Sequence, residues 1–326
     1  MYIFSGKDIY KNLPYTKCIE LMQQCFEDLG NKLVGMSPKH ATLLPDNKSL
    51  LGVMTGHQLN GTFAIIKSIG LFSNSNNIKS SHQGVISLYN YKKGEMLAIF
   101  DAASITAIRT ASASALATKN LAHPDASTLS LIGAGEQSFH QTLAISKIRN
   151  IKKVNVFNRT SENSKRLKKT LIEKGFSIPI NIYPLNKIKK ISKEHDIISI
   201  STSSPTPLLM LNDLPKGCHI NSIGACTPNV SEIDPDIVNT AYLVVDDIIT
   251  SNHEAGNLIN SKNKTFSNNS KELKETITTT SSLKNELTLF NSTGLGIQDL
   301  YCAIHLYRNH QNIATANIDL EGHYAE

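Results

Sequence analysis

Short apolar runs alternate with helix-like segments through the second half of the chain. The runs are "TLSLIG" (128–133), "KVNVFN" (153–158), "DIISIST" (196–202), "CHINSIG" (218–224) and "AYLVVDD" (241–247). Short, mostly apolar runs of this kind are typical of buried strands, and strands separated by helices form parallel sheets. The pattern therefore predicts an α/β fold with a doubly wound parallel sheet.

The first part of the chain has a different pattern. Residues 15–30 repeat apolar positions on one helical face and end at Gly30, which predicts an amphipathic helix. "GVISLYNYKKGEMLAIFD" (84–101) reads as two strands joined by a Lys-Lys-Gly turn and predicts an antiparallel hairpin. Between these elements, "FAII" reads as an apolar helical stretch that ends at Lys67.

Two further helices are predicted, one before and one after the strands of the parallel sheet in the sequence. "SITAIRTASASALATKNLA" (104–122) is crowded with Ala and Ser, whose small side chains allow another backbone or a ligand to come close. "STGLGIQDLYCAIHLYRN" (292–309) predicts a helix behind a glycine-rich turn. Residues 251–285 are rich in Asn, Ser, Lys and Thr and predict a polar, weakly packed segment.

Composition places the chain among soluble globular proteins. It has 326 residues, enough for two domains, with 40% hydrophobic and 18% charged residues. The net charge of +6 is spread out, and no basic patch is interleaved with aromatic residues, so we expect no nucleic-acid partner. The N-terminus is too polar for a signal peptide, and no apolar run approaches the ~18 residues of a membrane span. Five cysteines without a CxxC pair indicate a reducing cytoplasm and no metal site.

A glycine turn follows the first apolar run of the predicted parallel sheet. Gly133-Ala134-Gly135 lies between a predicted strand and a predicted helix, and a second strand follows about twenty residues on. Such glycines let a pyrophosphate approach backbone N–H groups at the positive end of a helix. Ser138 replaces the usual third glycine. The context favours dinucleotide binding over a turn that serves packing alone.

The end of the second strand indicates which dinucleotide binds. An acidic residue there would accept hydrogen bonds from the ribose hydroxyls of NAD, but this chain has Asn158-Arg159-Thr160. A guanidinium with two short polar groups suits the 2′-phosphate of NADPH. We therefore expect NADPH, with NADH as the other candidate cofactor. The alternative is that Arg159 is an ordinary solvent-facing loop residue.

Five segments resemble the ornithine cyclodeaminase/mu-crystallin family. They are "IIKSIG" (65–70), "GEMLAIFDAASITAIRTASASALATKNLA" (94–122), "LIGAGEQ" (131–137), "INSIGACTP" (220–228) and "STGLGIQD" (292–299). The resemblance implies a Rossmann domain and a discontinuous α+β substrate-binding and dimerisation domain, assembled as a homodimer. We place the first in residues 121–291 and the second in residues 1–120 with 292–326.

The resemblance also assigns candidate site residues. Lys67 and Arg109 match a lysine and an arginine that lie at substrate and cofactor in the family. The residues alone favour a surface lysine at Lys67 over a functional one, and they fit Arg109 equally well to an interdomain salt bridge. The residues predicted to bind the cofactor are Ser81, Arg109, Gly133, Ala134, Gly135, Glu136, Gln137, Asn158, Arg159, Thr160, Thr202, Ile223 and Thr293.

Two departures from the family pattern concern the substrate. Many members hold the substrate carboxylate with an early arginine, where this chain has His40 beside Lys39. Ornithine cyclodeaminases have a catalytic aspartate at the position of Cys226 and a glutamate at the position of Gly52. Cyclodeamination needs proton transfer by such groups. We expect Cys226 to be a buried structural thiol, and we expect substrate binding by Lys67, Arg109 and His40 without a catalytic carboxylate.

These departures make the motifs most similar to those of the family's ketimine reductases. We expect NADPH-dependent reduction of a cyclic imine carboxylate, Δ1-pyrroline-2-carboxylate or Δ1-piperideine-2-carboxylate, to L-proline or L-pipecolate. Lys67 is the residue predicted to be catalytic. The alternatives are an ornithine cyclodeaminase, an amino-acid dehydrogenase or condensing enzyme for a linear 2-oxo acid, and a non-catalytic NADPH-dependent binding protein.

Overall fold

The structure is a computed structural model that describes residues 1–46, 49–72, 82–190, 194–261, 270–277, 283 and 285–317. The chain divides into two compact units, Met1–Arg109 with the segment from Leu295 onward, and Thr110–Gly294. Helix α3 (Ala102–Leu121) contains the boundary between them. The predicted domains, with boundaries at 120 and 292, remain a prediction.

Within the described residues, the first unit is an eight-stranded mixed sheet with three complete helices and the first part of α3. The strands are β1 (Tyr2–Phe4), β2 (Val34–Gly35), β3 (His40–Leu43), β4 (Leu50–Gln58), β5 (Phe63–Leu71), β6 (His82–Asn90), β7 (Glu95–Asp101) and β16 (Ala316–Asn317). Their order is β16-β1-β7-β6-β5-β4-β2, with β3 also on β4, and only β1 and β7 pair in parallel. The helices are α1 (Gly6–Asn12), α2 (Tyr15–Gly30) and α10 (Gly296–Asn309).

Successive side chains along each strand point to opposite faces of this sheet, and the two faces differ in composition. Helix α10 packs against β4, β5 and β6 on one face, which we call the inner face, and also contacts α2. The other face, the outer face, carries Leu51, Val53, Ile66 and Val85, whose side chains are 42–48% exposed. The predicted hairpin and the helices at 15–30 and 292–309 are confirmed.

The second unit is an eight-stranded parallel sheet. Its strands are β8 (Thr128–Ile132), β9 (Lys153–Asn158), β10 (Ile180–Pro184), β11 (Ile197–Ile200), β12 (His219–Ser222), β13 (Tyr242–Val245), β14 (Lys271–Glu272) and β15 (Thr288–Asn291). The order is β10-β9-β8-β11-β12-β15-β13-β14, with every pair parallel. The predicted doubly wound fold is confirmed, and β10, β14 and β15 are strands that the sequence pattern missed.

Helices connect the strands of the parallel sheet. They are α4 (Glu136–Ile145), α5 (Ser161–Glu173), α6 (Pro235–Thr240), α7 (Ile248–Glu254), α8 (Gly256–Ile259) and α9 (Leu273–Thr276). Short 3-10 helices lie at Leu185–Lys190 and Leu211–Asp213, and a third, Gln311–Ile313, belongs to the first unit. The chain moves from β8 through β9 to β10, then returns to β11 on the other side of β8. In doubly wound folds, ligands bind at the carboxyl ends of the strands beside such a switch point.

The expectation of a weakly packed segment from 251 to 285 is wrong for its first part. Ala255 and Leu258 are buried in the core of the parallel sheet, together with strand residues such as Ile198 and Ile220. Polar composition misled the prediction because Asn257 is also buried, in a hydrogen-bond network described below. In the described part of the chain, no helix is both long enough and apolar enough to span a membrane.

Candidate active site

Lys67 lies in the middle of β5 on the inner face, between Met54 of β4 and Ile86 of β6 in the register of the sheet. The prediction that it ends a helical stretch is wrong, and so is its alternative as a surface lysine. The side chain is only 1% exposed. Its Nζ donates to Thr106 Oγ1 at 2.6 Å and to both carboxylate oxygens of Asp299, at 3.1 and 3.2 Å.

Arg109 is buried on α3 and shares the same carboxylate. Its Nε donates to Asp299 Oδ1 at 3.3 Å, and its Nη1 donates to Gln298 Oε1 at 2.7 Å. Asp299 and Gln298 are both fully buried in the first turn of α10. Lys67, Arg109, Asp299 and Gln298 form what we call the lysine cluster, which carries a net charge of +1 when its ionisable groups are charged.

Asp299 and Gln298 are the residues that the sequence analysis missed. The segment "STGLGIQD" carried the family resemblance, yet its last two residues received no role. The expectation of a site without a catalytic carboxylate, which concerned the positions of Cys226 and Gly52, stays a prediction, but it did not foresee this buried carboxylate beside Lys67. The available signal was an acid in the first turn of a helix with a largely apolar buried face, where a buried carboxylate needs a cationic partner.

Burial and neighbouring charges set the protonation of Lys67. Burial lowers the pKa of its ammonium from 10.5 to about 8, Asp299 raises it in part, and Arg109 lowers it again. Lys39, beside the start of β3, adds a further small lowering of this pKa. A lysine with a pKa about 8 can lose or gain a proton near neutral pH, so it can act as a general acid.

The other predicted substrate residue, His40, is exposed rather than buried with the lysine cluster. His40 is exposed at the start of β3, opposite Val53, and has no hydrogen bond or ion pair to the cluster among the described residues. Ser81 lies outside the described residues. Cys226 is only partly buried, so the expectation of a buried thiol is wrong for this residue, whereas Cys18, Cys25, Cys218 and Cys302 are buried.

The glycine turn after β8 has the geometry expected for a pyrophosphate site. Gly133 has a φ of +102°, and a Cβ there would lie 2.7 Å from the Ser201 carbonyl oxygen, so only glycine fits without strain. Gly135 is the N-cap of α4, makes no side-chain cap, and would meet nothing within 4 Å if it had a Cβ. The open space beside Gly135, at the N-terminus of α4, therefore fits a pyrophosphate.

Other predicted cofactor residues surround this turn. Ala134, Glu136 and Gln137 belong to the turn and the start of α4, and the buried Gln137 Oε1 has no hydrogen-bond donor among the described residues. At the end of β9, Asn158 Nδ2 donates to the Thr160 carbonyl oxygen at 2.8 Å. Arg159 beside it is exposed and forms no ion pair within the described part of the chain. Its guanidinium is therefore accessible to a ligand phosphate.

Two buried acids organise the loops on the other side of the switch point. Glu232 accepts hydrogen bonds from the loops after β11 and β12, which contain Thr202 and Ile223. Burial raises the pKa of Glu232 to about 7, an effect that its hydrogen-bond donors oppose. Asp246 accepts from the backbone N–H groups of Thr293 and Gly294 after β15. Three predicted cofactor residues thus lie on loops that buried carboxylates hold.

Comparison with known proteins places this arrangement in context. The model of the ornithine cyclodeaminase/mu-crystallin family matches residues 3–313. The chain is 34% identical over 236 residues to the Delta(1)-pyrroline-2-carboxylate reductase of Bacillus cereus, covering 70% of this chain and 71% of that protein. It is 29% identical over 263 residues to the ketimine reductase mu-crystallin of Rattus norvegicus, covering 80% of each. The structure of Thermococcus litoralis Delta(1)-pyrroline-2-carboxylate reductase in complex with NADH and L-proline has a TM-score of 0.91 to this chain, at 26% identity, and covers 98% of this chain and 100% of that one.

Proposed function

Because this chain belongs to the ornithine cyclodeaminase/mu-crystallin family, we propose that it reduces a cyclic imine carboxylate to the corresponding L-imino acid with a reduced nicotinamide dinucleotide. The substrates are Δ1-pyrroline-2-carboxylate, which gives L-proline, and Δ1-piperideine-2-carboxylate, which gives L-pipecolate. The names of the Bacillus cereus and Rattus norvegicus relatives support this class of reaction. The observation that carries the proposal is the buried lysine cluster.

The lysine cluster offers both charge and a proton to such a substrate. Its net positive charge in a buried setting attracts a carboxylate, and Arg109 Nη2 has no acceptor among the described residues. Lys67, with its pKa about 8, can give a proton to the imine nitrogen and make the adjacent carbon more electrophilic. Asp299 keeps the ammonium form populated. Lys67 and Arg109 would therefore bind and orient the substrate, and Asp299 would hold the proton on Lys67.

We assign the dinucleotide to the carboxyl edge of the parallel sheet. The Gly133–Gly135 turn would hold the pyrophosphate, and the loops with Thr202, Ile223 and Thr293 would hold the nicotinamide half. When bound, the reduced nicotinamide supplies the hydride. Arg159 supports NADPH over NADH because an exposed guanidinium without an ion-pair partner in the described chain suits a 2′-phosphate.

We further propose a homodimer formed through the outer face. Four large apolar side chains there are 42–48% exposed, and Ala64, Tyr89 and Tyr91 line an apolar depression beside them. Contiguous exposed apolar surface of this kind marks an interaction site. A second copy of the chain is the partner that the family resemblance implies.

The decisive test is a substrate panel with both cofactors. Loss of absorbance of NADPH or NADH is followed after addition of Δ1-pyrroline-2-carboxylate, Δ1-piperideine-2-carboxylate, or pyruvate with ammonia. Ornithine with NAD is assayed separately for proline and ammonia. We expect turnover of a cyclic imine, faster with NADPH. Faster turnover of pyruvate with ammonia would identify the protein as an amino-acid dehydrogenase. Formation of proline from ornithine at a comparable rate would identify it as a cyclodeaminase. Tight NADPH binding without turnover would identify it as a binding protein.

A further inference from the structure

Glu232 is a fully buried carboxylate between two loops of the parallel sheet. It lies ten residues beyond β12, outside every segment that the sequence analysis assigned to the site. We propose that Glu232 is the positioning residue of the nicotinamide half of the cofactor site, acting through the loops that contain Thr202 and Ile223. The inference rests on the proposed function, because it presumes that the unit binds a nicotinamide dinucleotide.

Five donors converge on this one carboxylate. Oε1 accepts from the backbone N–H of Thr202 and, at 2.9 Å, from its hydroxyl. Oε2 accepts from Ser222 Oγ at 3.0 Å and from the N–H groups of Gly224 and Ala225 at 2.9 and 3.1 Å. One oxygen therefore holds the loop after β11, and the other holds the loop after β12.

The chemistry of this contact demands a carboxylate. Three of the five donors are backbone N–H groups, which can only donate, and they face both oxygens. A glutamine would place its NH2 group against at least one of these N–H groups, and a buried donor facing a donor is costly. A Cβ at Gly224 would overlap both the Thr202 carbonyl and the Glu232 carboxylate. The two loops therefore touch each other around Glu232.

A second buried residue fixes Glu232 itself. Asn257 Oδ1 accepts from the Glu232 backbone N–H at 2.8 Å, and its Nδ2 donates to Ser222 Oγ and Asn291 Oδ1, both at 2.8 Å. The side chains of Ser222 and Asn291 belong to the last residues of β12 and β15. The carboxylate is thus tied to the ends of two central strands and cannot move independently of them.

The position in the sheet indicates which half of the dinucleotide is affected. Arg159, at the end of β9, lies on one side of the β8–β11 switch point, and Glu232 acts on β11 and β12, on the other side. A dinucleotide crosses the switch point of a doubly wound sheet, with its adenosine on the side of the second strand. The loops held by Glu232 therefore face the other half, the nicotinamide ribose and ring.

Truncated ligands separate a positioning role from general support of the unit. Dissociation constants are measured by calorimetry for NADPH and for 2′-phospho-ADP-ribose, which lacks the nicotinamide, and in parallel for NADH and ADP-ribose. The variants are Glu232→Gln and Asp196→Asn. Asp196 is the matched control because it also accepts two backbone N–H bonds, from Ser127 and Thr128, at the amino edge of the same sheet.

We expect Glu232→Gln to raise the dissociation constant of NADPH by at least about tenfold. The dissociation constant of 2′-phospho-ADP-ribose should change by less than about twofold. Asp196→Asn should leave the ratio of the two constants unchanged. Equal weakening of both ligands by Glu232→Gln, or no weakening of either, would overturn the inference. If Glu232→Gln does not fold, Glu232→Asp, which keeps the charge but shortens the reach, must show the same selective loss. Wild-type protein that binds neither ligand would instead refute the proposed function.

Discussion

Replacing Asp299 by asparagine tests whether Lys67 is the proton donor. Asp299 is the group that keeps the Lys67 ammonium populated despite its burial, so its loss should lower the pKa of Lys67 below the wild-type value of about 8. Activity that needs the ammonium is present below this pKa and is lost as the pH rises through it. The alkaline limb of kcat/KM should therefore move to lower pH in Asp299→Asn.

The contacts give the magnitude of this shift. The carboxylate oxygens lie 3.1 and 3.2 Å from Nζ, and both side chains are buried. Two unit charges at 3.1 Å attract each other by about 5 kcal/mol at an effective dielectric of about 20. A pKa shift of one unit corresponds to about 1.4 kcal/mol, which is about a quarter of that energy. We expect the limb to move by at least about one pH unit.

The assay is initial-rate reduction of the preferred imine from about pH 6 to pH 10. Wild type and variants use the same substrate, so the titration of the substrate itself is common to all profiles. Thr106→Val is the control, because it removes a neutral hydrogen-bond acceptor 2.6 Å from Nζ but no charge. Its limb should move less than that of Asp299→Asn. Superimposable profiles for wild type and Asp299→Asn would refute the role of Lys67 as the acid.

Five further variants test the same structure. Lys67→Met should lower kcat/KM for the imine by at least about thirtyfold, while the NADPH dissociation constant changes little. His40→Ala should lower kcat/KM by less. Near-normal kinetics of Lys67→Met would mean that the substrate site lies elsewhere. Arg159→Asp should raise the KM for NADPH by about tenfold or more and spare NADH, and equal effects on both cofactors would contradict phosphate selection. Cys226→Ser should retain imine reduction, since the thiol is assigned no chemistry, and a large loss would show otherwise. Ile66→Asp on the outer face should yield monomers in light scattering, whereas an unchanged dimer would place the interface on another surface.

The sequence determined the parallel sheet because its signal is local. Buried strands such as 128–132 and 153–158 are short, mostly apolar runs, and each can be recognised without knowledge of its neighbours. The same holds for the Gly133 turn, where a left-handed backbone and close approach to Ser201 leave glycine as the only unstrained residue. The short strand β15 (Thr288–Asn291) was not recognised from its sequence pattern.

The lysine cluster was decided by the tertiary structure. Lys67 and Asp299 are 232 positions apart, and Arg109 and Asp299 are 190 apart, so no periodicity relates them. The segment around Lys67 is short and apolar, and such a run reads equally as helix or strand; only pairing with β4 and β6 turns the side chain inward. Once buried, the ammonium needs a carboxylate, and α10 supplies it. The sequence alone thus determined that Lys67 and Arg109 were candidates, while the fold decided that they share one buried acid and that burial lowers the pKa of Lys67 to about 8.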